Sequence, residues 1–319
     1  MSDDDFLHGI MENPEDDTLR LVYADWLEER GDPRGELIRV QCAIAAMKRE
    51  KDQGWGPLRS RERKLLKQHL KIWLGNELHA LVTRDAASRS AWTRHWQCDR
   101  GLFLVNLKAE EFLRLSQSSP FEAWKWVTSL AIRDLKAAST EEFAASPLLT
   151  RLQCINLHSS KIGATGMAAF SSSPNLTSLA SLELAHNQIG LEGVASLVRA
   201  RSLARLKKLN LYGNQIGDAG VALLLAWPQL KKLRELSLSG NEISETGVAT
   251  LAGSPHLREL QLLDLCHNDG VRDDGAMCLA DSRHLSGLNC LRISANNLRE
   301  DTMAQLRKRF GRGLQAYRW

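Results

Sequence analysis

"LKKLNLYGNQIGDAGVALL", Leu206 to Leu224, is the stretch on which the fold of the second half turns. Leu209 and Leu211 flank Asn210, the period-two pattern of a short strand that points its leucines to one side. Asn214 follows where the chain must leave that strand, and its carboxamide can bond backbone groups left free at the exit. Val221, Leu224 and Leu225 then recur at helical spacing, with Pro228 just past the predicted helix end.

The string is repeated. "LASLELAHNQIGLEGVASL" (Leu179–Leu197), "LRELSLSGNEISETGVATL" (Leu233–Leu251), "LQLLDLCHNDGVRDDGAMCL" (Leu260–Leu279) and "LNCLRISANNLREDTMAQL" (Leu288–Leu306) share its pattern. Asn187, Asn214, Asn241 and Asn268 fall 27 residues apart, and Asn296 follows after 28. These five asparagines are expected to stack as a structural ladder. An earlier copy begins at Leu152 and has Ser160 in the asparagine slot, and a weaker one spans Val127–Leu135. A single unit of this kind has apolar faces that only its neighbours can cover, so stacking is obligatory and both ends need caps.

L-x-x-L-x-L-x-x-N followed by a helical stretch resembles the leucine-rich-repeat family, over roughly residues 125–310. The I-G-x-x-G turn at Ile216, Gly217 and Gly220 is similar to that of its long cytosolic subtype, the one found in ribonuclease inhibitor. The resemblance implies an α/β solenoid of about seven repeats, a curved parallel sheet inside and helices outside. The segment Gly101–Val127 reads as a strand and helix that begin the stack, and residues 101–150 as an N-terminal cap with a degenerate first repeat. Residues 151–319 hold the repeats and a basic, aromatic C-terminal cap, in which Phe310, Leu314, Tyr317 and Trp319 are expected to cover the last core layer.

Residues between the inward leucines point to the concave face of such an array. Three columns result: Cys154, Ser181, Lys208, Glu235, Leu262, Cys290; then Asn156, Glu183, Asn210, Ser237, Asp264, Arg292; then His158, Ala185, Tyr212, Ser239, Cys266, Ser294. Lys208, Asn210, Tyr212, Glu235, Asp264 and Arg292 are the candidate protein-binding residues, because stacked repeats create extended concave surfaces. The chain has no H-E-x-x-H, P-loop or G-x-S-x-G. His186 and His267 stand three repeats apart, about 14 Å at strand spacing, and are not expected to share a metal. No catalytic residue, metal site or cofactor is implied.

The first half reads differently. Residues 1–38 carry a net charge of −9 and residues 39–100 a net charge of +8. So sharp a break means either two units or one whose halves attract. "FLHGIMENP" reads as a short amphipathic helix ended by Pro14. A second helix carries Leu19, Val22, Trp26 and Leu27 as its apolar stripe, with acids near its N-terminus and Gly31 past its end. Asp32-Pro33 opens a third, with Leu37, Val40, Ile44 and Met47 inward. The string "NPEDDTLRLVYADWLEERGDPRGELIRVQ" (Asn13–Gln41) resembles the repeat-companion domain of bacteria, especially planctomycetes, which precedes repeat arrays. That likeness makes residues 1–48 a small all-α N-terminal domain. Residues 49–100 are read as a basic helical connector with Trp55, Trp73, Trp92 and Trp96 interleaved. Nucleic-acid association through residues 39–100 is the alternative to packing there.

Six scattered cysteines, an acidic start and no run of eighteen apolar residues point to a cytoplasmic protein without a membrane anchor. The expected function is non-catalytic protein recognition or scaffolding by a monomer whose protein partner is unidentified. GTPase activation is a further alternative by fold analogy alone. Leu211→Asp tests the fold: a carboxylate in the stack is expected to abolish the cooperative thermal transition followed by circular dichroism. An unchanged melt would mean that Leu211 faces no core.

Overall fold

The computed structural model describes residues 2–14, 16–47, 54–84, 96–117 and 122–318. Trp92 and Trp319, both named above, lie outside them. The chain divides into two compact units, one of Met1–Leu107 with Ser119–Leu130, the other of Lys108–Ser118 with Ala131–Trp319.

In the first unit, helices α1 (Asp3–Glu12), α2 (Asp17–Glu28), α3 (Arg34–Ala46) and α4 (Trp55–Thr83) precede β1 (Trp96–Asp99) and β2 (Leu102–Lys108). Strands β1 and β2 pair antiparallel. Ser2 opens α1 with a reciprocal capping box to Asp5. Phe6, Leu7 and Ile10 of α1 are buried, and Phe6 stacks on Tyr23 of α2 with ring centroids 4.9 Å apart. The stripe on α2 differs from the one expected. Arg20, Tyr23, Ala24 and Leu27 are buried, whereas Val22 is 49% exposed. Tyr23 wins the inward position because its ring also stacks on Trp126, at 5.8 Å, while its hydroxyl donates to Asp3. Gly31 takes φ 69, as its place past the helix end requires.

The basic segment is built into this unit. Leu65, Leu70, Trp73, Leu74 and Leu78 of α4 are buried, and Gly75 interrupts the helix with φ 70 and ψ 167. Gln41 of α3 ties the pieces together: its amide donates to Glu62 at 2.8 Å and to the Cys98 carbonyl at 3.1 Å, and accepts from the Gly101 N–H at 2.8 Å. Arg39 pairs with Glu28 at 3.1 Å, Arg61 with Glu36 at 2.7 Å, and Arg100 with Asp17 at 3.2 Å. Of the two readings of the charge break, mutual attraction within one unit is the one realised.

The chain enters the second unit at Lys108, returns to the first at Ser119, and enters the second again within β3 (Val127–Arg133). The second unit holds α5 (Ala109–Gln117) and α6 (Ala137–Ala145), and then a regular alternation. It runs β4 (Cys154–Asn156), α7 (Gly163–Ser172), β5 (Ser181–Glu183), α8 (Gly190–Leu197), β6 (Lys208–Asn210), α9 (Gly217–Leu225), β7 (Glu235–Ser237) and α10 (Glu245–Ala252). β8 (Leu262–Asp264), α11 (Asp273–Asp281), β9 (Cys290–Ser294), α12 (Glu300–Phe310) and β10 (Leu314–Tyr317) complete it. Strands β4 to β10 pair in parallel, each with the next in sequence. Leu182, Leu209, Leu236, Leu263 and Leu291 sit side by side in register, and each is at most 1% exposed. The fold is therefore the expected solenoid of parallel strands and return helices.

Four asparagines hold the strand exits together. Asn214 Oδ1 accepts the N–H groups of Asn187 at 2.9 Å and Ile189 at 3.3 Å. Its Nδ2 donates to the carbonyls of Leu184 and Leu211, both at 2.9 Å. Asn187, Asn241 and Asn268 repeat the device, and all four are 2% exposed or less. Asn296 does not continue the buried row. The last repeat is one residue longer, Ser294 Oγ takes the His267 N–H at 2.8 Å, and Asn296 lies exposed.

The C-terminal cap also departs from expectation. Met303 and Leu306 of α12 are buried under the last layer, while Phe310 and Leu314 are only half-buried and Tyr317 is 38% exposed. The tail covers the sheet edge instead, as β10 in register with β9. Among the described residues, no helix is long and apolar enough to cross a membrane.

Asn241→Ala leaves the Asn214 and Ile216 N–H groups without their acceptor, each costing about 1–3 kcal/mol, while the Leu211 and Ser239 carbonyls lose one donor and keep another. A loss of about 3–5 kcal/mol in urea unfolding is expected, against under about 0.5 kcal/mol for exposed Asn296→Ala. Equal losses would mean that the ladder does not carry the array.

Candidate functional site

Register makes the concave face explicit. Cys154, Ser181, Lys208, Glu235, Leu262 and Cys290 are successive partners, as are Asn156, Glu183, Asn210, Ser237, Asp264 and Arg292. The six candidate residues are thus carried by β6 to β9 and the strand exits. Lys208 Nζ meets Glu235 across one strand spacing at 2.8 Å. Asn210 donates to Glu183 at 2.7 Å and accepts the Tyr212 N–H at 2.9 Å, so it both fixes its neighbour and ends its own strand. Asp264 accepts the Cys266 N–H at 3.0 Å in the same way. Arg292 stands 3.7 Å from Asp264 and donates to Gln315 at 2.9 Å.

Asn210, Tyr212, Asp264 and Arg292 come together around one open cavity of about 300 Å³, with Ser237, Ser239 and Tyr317. Lys208 and Glu235 are not among its lining residues.

A row of rings runs along the strand exits, which the columns above do not show. His158 and His186 centroids are 5.4 Å apart, His186 and Tyr212 4.4 Å, and Tyr212 and His267 6.1 Å. Glycine makes the close contacts possible. A Cβ on Gly213 would stand 2.5 Å from His186 Nδ1, and one on Gly240 2.7 Å from Tyr212 Cε2. Gly213, Gly240, His186 and His267 occupy the same slot before the ladder asparagine, all with left-handed φ between 56 and 66. Glycine holds that conformation without penalty, whereas for histidine it is uncommon and costs free energy. Two histidines are therefore maintained where the turn alone favours glycine.

Electrostatics on this face follow burial. The Cys266 thiol is pushed up to about 12 by burial and by Asp264, so it is no thiolate nucleophile at neutral pH. Burial, then Glu235, raises the Glu183 carboxyl, although the Asn210 bond opposes them. Burial and the neighbouring His186 hold His158 below the ordinary histidine range. All six cysteines are free, and among the described residues no group of three or more His, Cys, Asp or Glu could hold a metal ion.

The leucine-rich-repeat family model matches residues 175–198, 205–225, 229–252 and 253–280. Residues 175–280 are leucine-rich repeats. No curated protein matches the chain. Among solved structures, the yeast Rad7–Elc1 complex is similar at 13% identity and a TM-score of 0.43, over 96% of this chain and 84% of that one.

Within these leucine-rich repeats the columns were legible from sequence, but the ring row was not. Its members alternate between two slots, since His158 and Tyr212 are two residues before the ladder position and His186 and His267 one. The signal that could have exposed it is the exchange of glycine for histidine within one slot. In the first unit the described tryptophans of the basic segment are committed to packing: Trp73 is buried, Arg59 lies over half-buried Trp55, and Trp96 packs on Phe103.

Gly240→Ala should cost more stability than Gly190→Ala, in whose place an added Cβ meets nothing within 4 Å. Both pay the left-handed penalty of about 1–2 kcal/mol, and only the first must also displace Tyr212. Equal losses in chemical denaturation would mean that Tyr212 does not lie across Gly240.

Proposed function

We propose that the chain is a non-catalytic protein-recognition scaffold that holds its partner on the concave face of the repeats. The observation that carries this reading is the convergence of Asn210, Tyr212, Asp264 and Arg292 on one open cavity, beside a row of rings set in glycine-favouring turns. Fixed side chains lose little conformational freedom when a partner arrives, so a prearranged face binds at lower entropic cost. Tyrosine and arginine are also residue types enriched at interface hot spots. Free thiols suit a cytoplasmic setting, and the Asn13–Gln41 string supports reading residues 1–48 as a repeat-companion domain of bacterial, planctomycete type.

A second reading, nucleic-acid association through residues 39–100, has one observation in its favour. Lys64, Lys67 and Lys71 lie exposed along one side of α4 and make no ion pair among the described residues. The described tryptophans of that segment, Trp55, Trp73 and Trp96, are occupied in packing, which takes them away as the stacking platforms such binding commonly uses. Steep loss of affinity with added salt is its signature.

The double variant Lys208→Glu with Tyr212→Ala tests the first reading. Both side chains project from the sheet and neither joins the ladder, so the thermal midpoint should move by no more than a few degrees. The partner recovered by affinity capture from the native host should be lost. Capture at the wild-type level would place recognition on another surface.

A further inference from the structure

We propose that the partner presents a basic side chain, lysine or arginine, which seats beside Glu183 and against the edge-to-face rings of His186 and Tyr212. This rests on the concave-face reading above and names the chemistry of the group received there.

The charges of the face are matched between neighbouring strands, with one exception. Glu235 has Lys208 at 2.8 Å, and Asp264 has Arg292 at 3.7 Å. Glu183 makes no ion pair among the described residues, and the hydrogen bond it receives is from the neutral amide of Asn210 at 2.7 Å. It is half-buried, which deprives a carboxylate of water without supplying a counter-charge. Burial and Glu235 both disfavour its charged form. A cation arriving from a partner would relieve that deficit, whereas an anion would worsen it.

The surroundings fit a basic side chain in shape as well as in charge. Glu183 is the register partner of Asn210, and Tyr212 lies two residues past it, beyond the end of β6, about 8 Å away at strand spacings. A lysine or arginine stem can span this distance with its apolar length on the rings. Aromatic faces attract cations, and tyrosine does so without needing to ionise. The titratable and charged groups facing Glu183 are Cys154 and His158 from β4 and its exit, His186 from its own exit, Lys208 on β6 and Glu235 on β7. Acid neutralises Glu183, whose carboxyl is already raised by burial and by Glu235, and this removes the counter-charge of a bound cation. Affinity for a basic partner should therefore fall as pH falls, the reverse of what an acidic partner would show.

Fluorescence anisotropy of the full chain with two labelled peptides tests the inference, one alternating arginine with serine and the other glutamate with serine. The arginine peptide should bind, and the glutamate peptide should not compete with it. Glu183→Gln keeps the size of the side chain and the acceptor for Asn210, so it should melt like the wild type. It should weaken the arginine peptide by roughly threefold to fivefold, the range of a partly exposed ion pair. Lowering the pH from about 7.5 towards the raised range of the Glu183 carboxyl should weaken wild-type binding too. No binding of the arginine peptide, equal binding of the glutamate peptide, or unchanged affinity of Glu183→Gln would overturn the proposal. If Lys208→Glu with Tyr212→Ala released the native partner while Glu183→Gln left arginine-peptide binding intact, the basic-partner inference would fail and the concave-face reading would stand.

Discussion

Where each strand of the array ends, the backbone turns out of the sheet and leaves N–H and C=O groups facing an apolar interior. The carboxamides of Asn187, Asn214, Asn241 and Asn268 close that deficit, each bonding its own turn and the preceding repeat. A planar group with two donors and one two-fold acceptor is what the geometry requires, and serine cannot supply it. Ser160 occupies the slot in the first copy, and its buried hydroxyl has no partner among the described residues. Because a ladder rung needs the rung beside it at one strand spacing, the asparagines lock the register between repeats. Register in turn fixes which side chains share a column. The concave face is thus a consequence of a bonding rule obeyed beneath it.

In the first unit the organising interaction is aromatic. Phe6, Tyr23 and Trp126 stack in sequence, and the Arg34 guanidinium covers Trp126 at 3.8 Å. The many ion pairs of this unit are largely exposed, and such pairs contribute about 0–1 kcal/mol each. They decide which segments lie together more than how tightly. Arg20 is the exception in kind. It is 3% exposed, bonds Asp17 and the Asp16 carbonyl, and leaves its Nε without a partner among the described residues. Burial and the nearby Arg100 disfavour its charged form, and Asp17 supplies the counter-charge beside it.

The array was legible in the sequence because its cause is local and repeated. Leucines at fixed offsets, an asparagine every 27 residues and a helix between them state the period many times over. The failures came where one tertiary contact outweighs a local pattern. Val22 fits a helical stripe as well as Tyr23 does, and only the Phe6 and Trp126 rings on either side decide between them. Asn296 continues the spacing almost unbroken, yet one extra residue moves it out of the buried row. Tyr317 looked like a core cover because it is aromatic, whereas pairing with β9 sets its exposed position. Of the candidate site, the column residues could be read from alternation alone. The ring row could not, because it joins residues from different slots across neighbouring turns.

A repeat array faces a particular difficulty in acquiring a specific site. Positions that obey the repeat are alike in every unit and distinguish no place along the face. Specificity must come from positions where the repeat is broken while its bonding rule is kept. The slot before the ladder asparagine shows how this is done. Gly213 and Gly240 satisfy its left-handed backbone with nothing to present, while His186 and His267 accept the same conformation and present a ring. Each large ring lies over a glycine of the next repeat, His186 over Gly213 and Tyr212 over Gly240. Large and small residues therefore alternate between adjacent units, and neither could be exchanged without disturbing the other. That coupling turns four nearly equivalent turns into one defined stretch of surface, and it does so without altering the asparagines that hold the solenoid together.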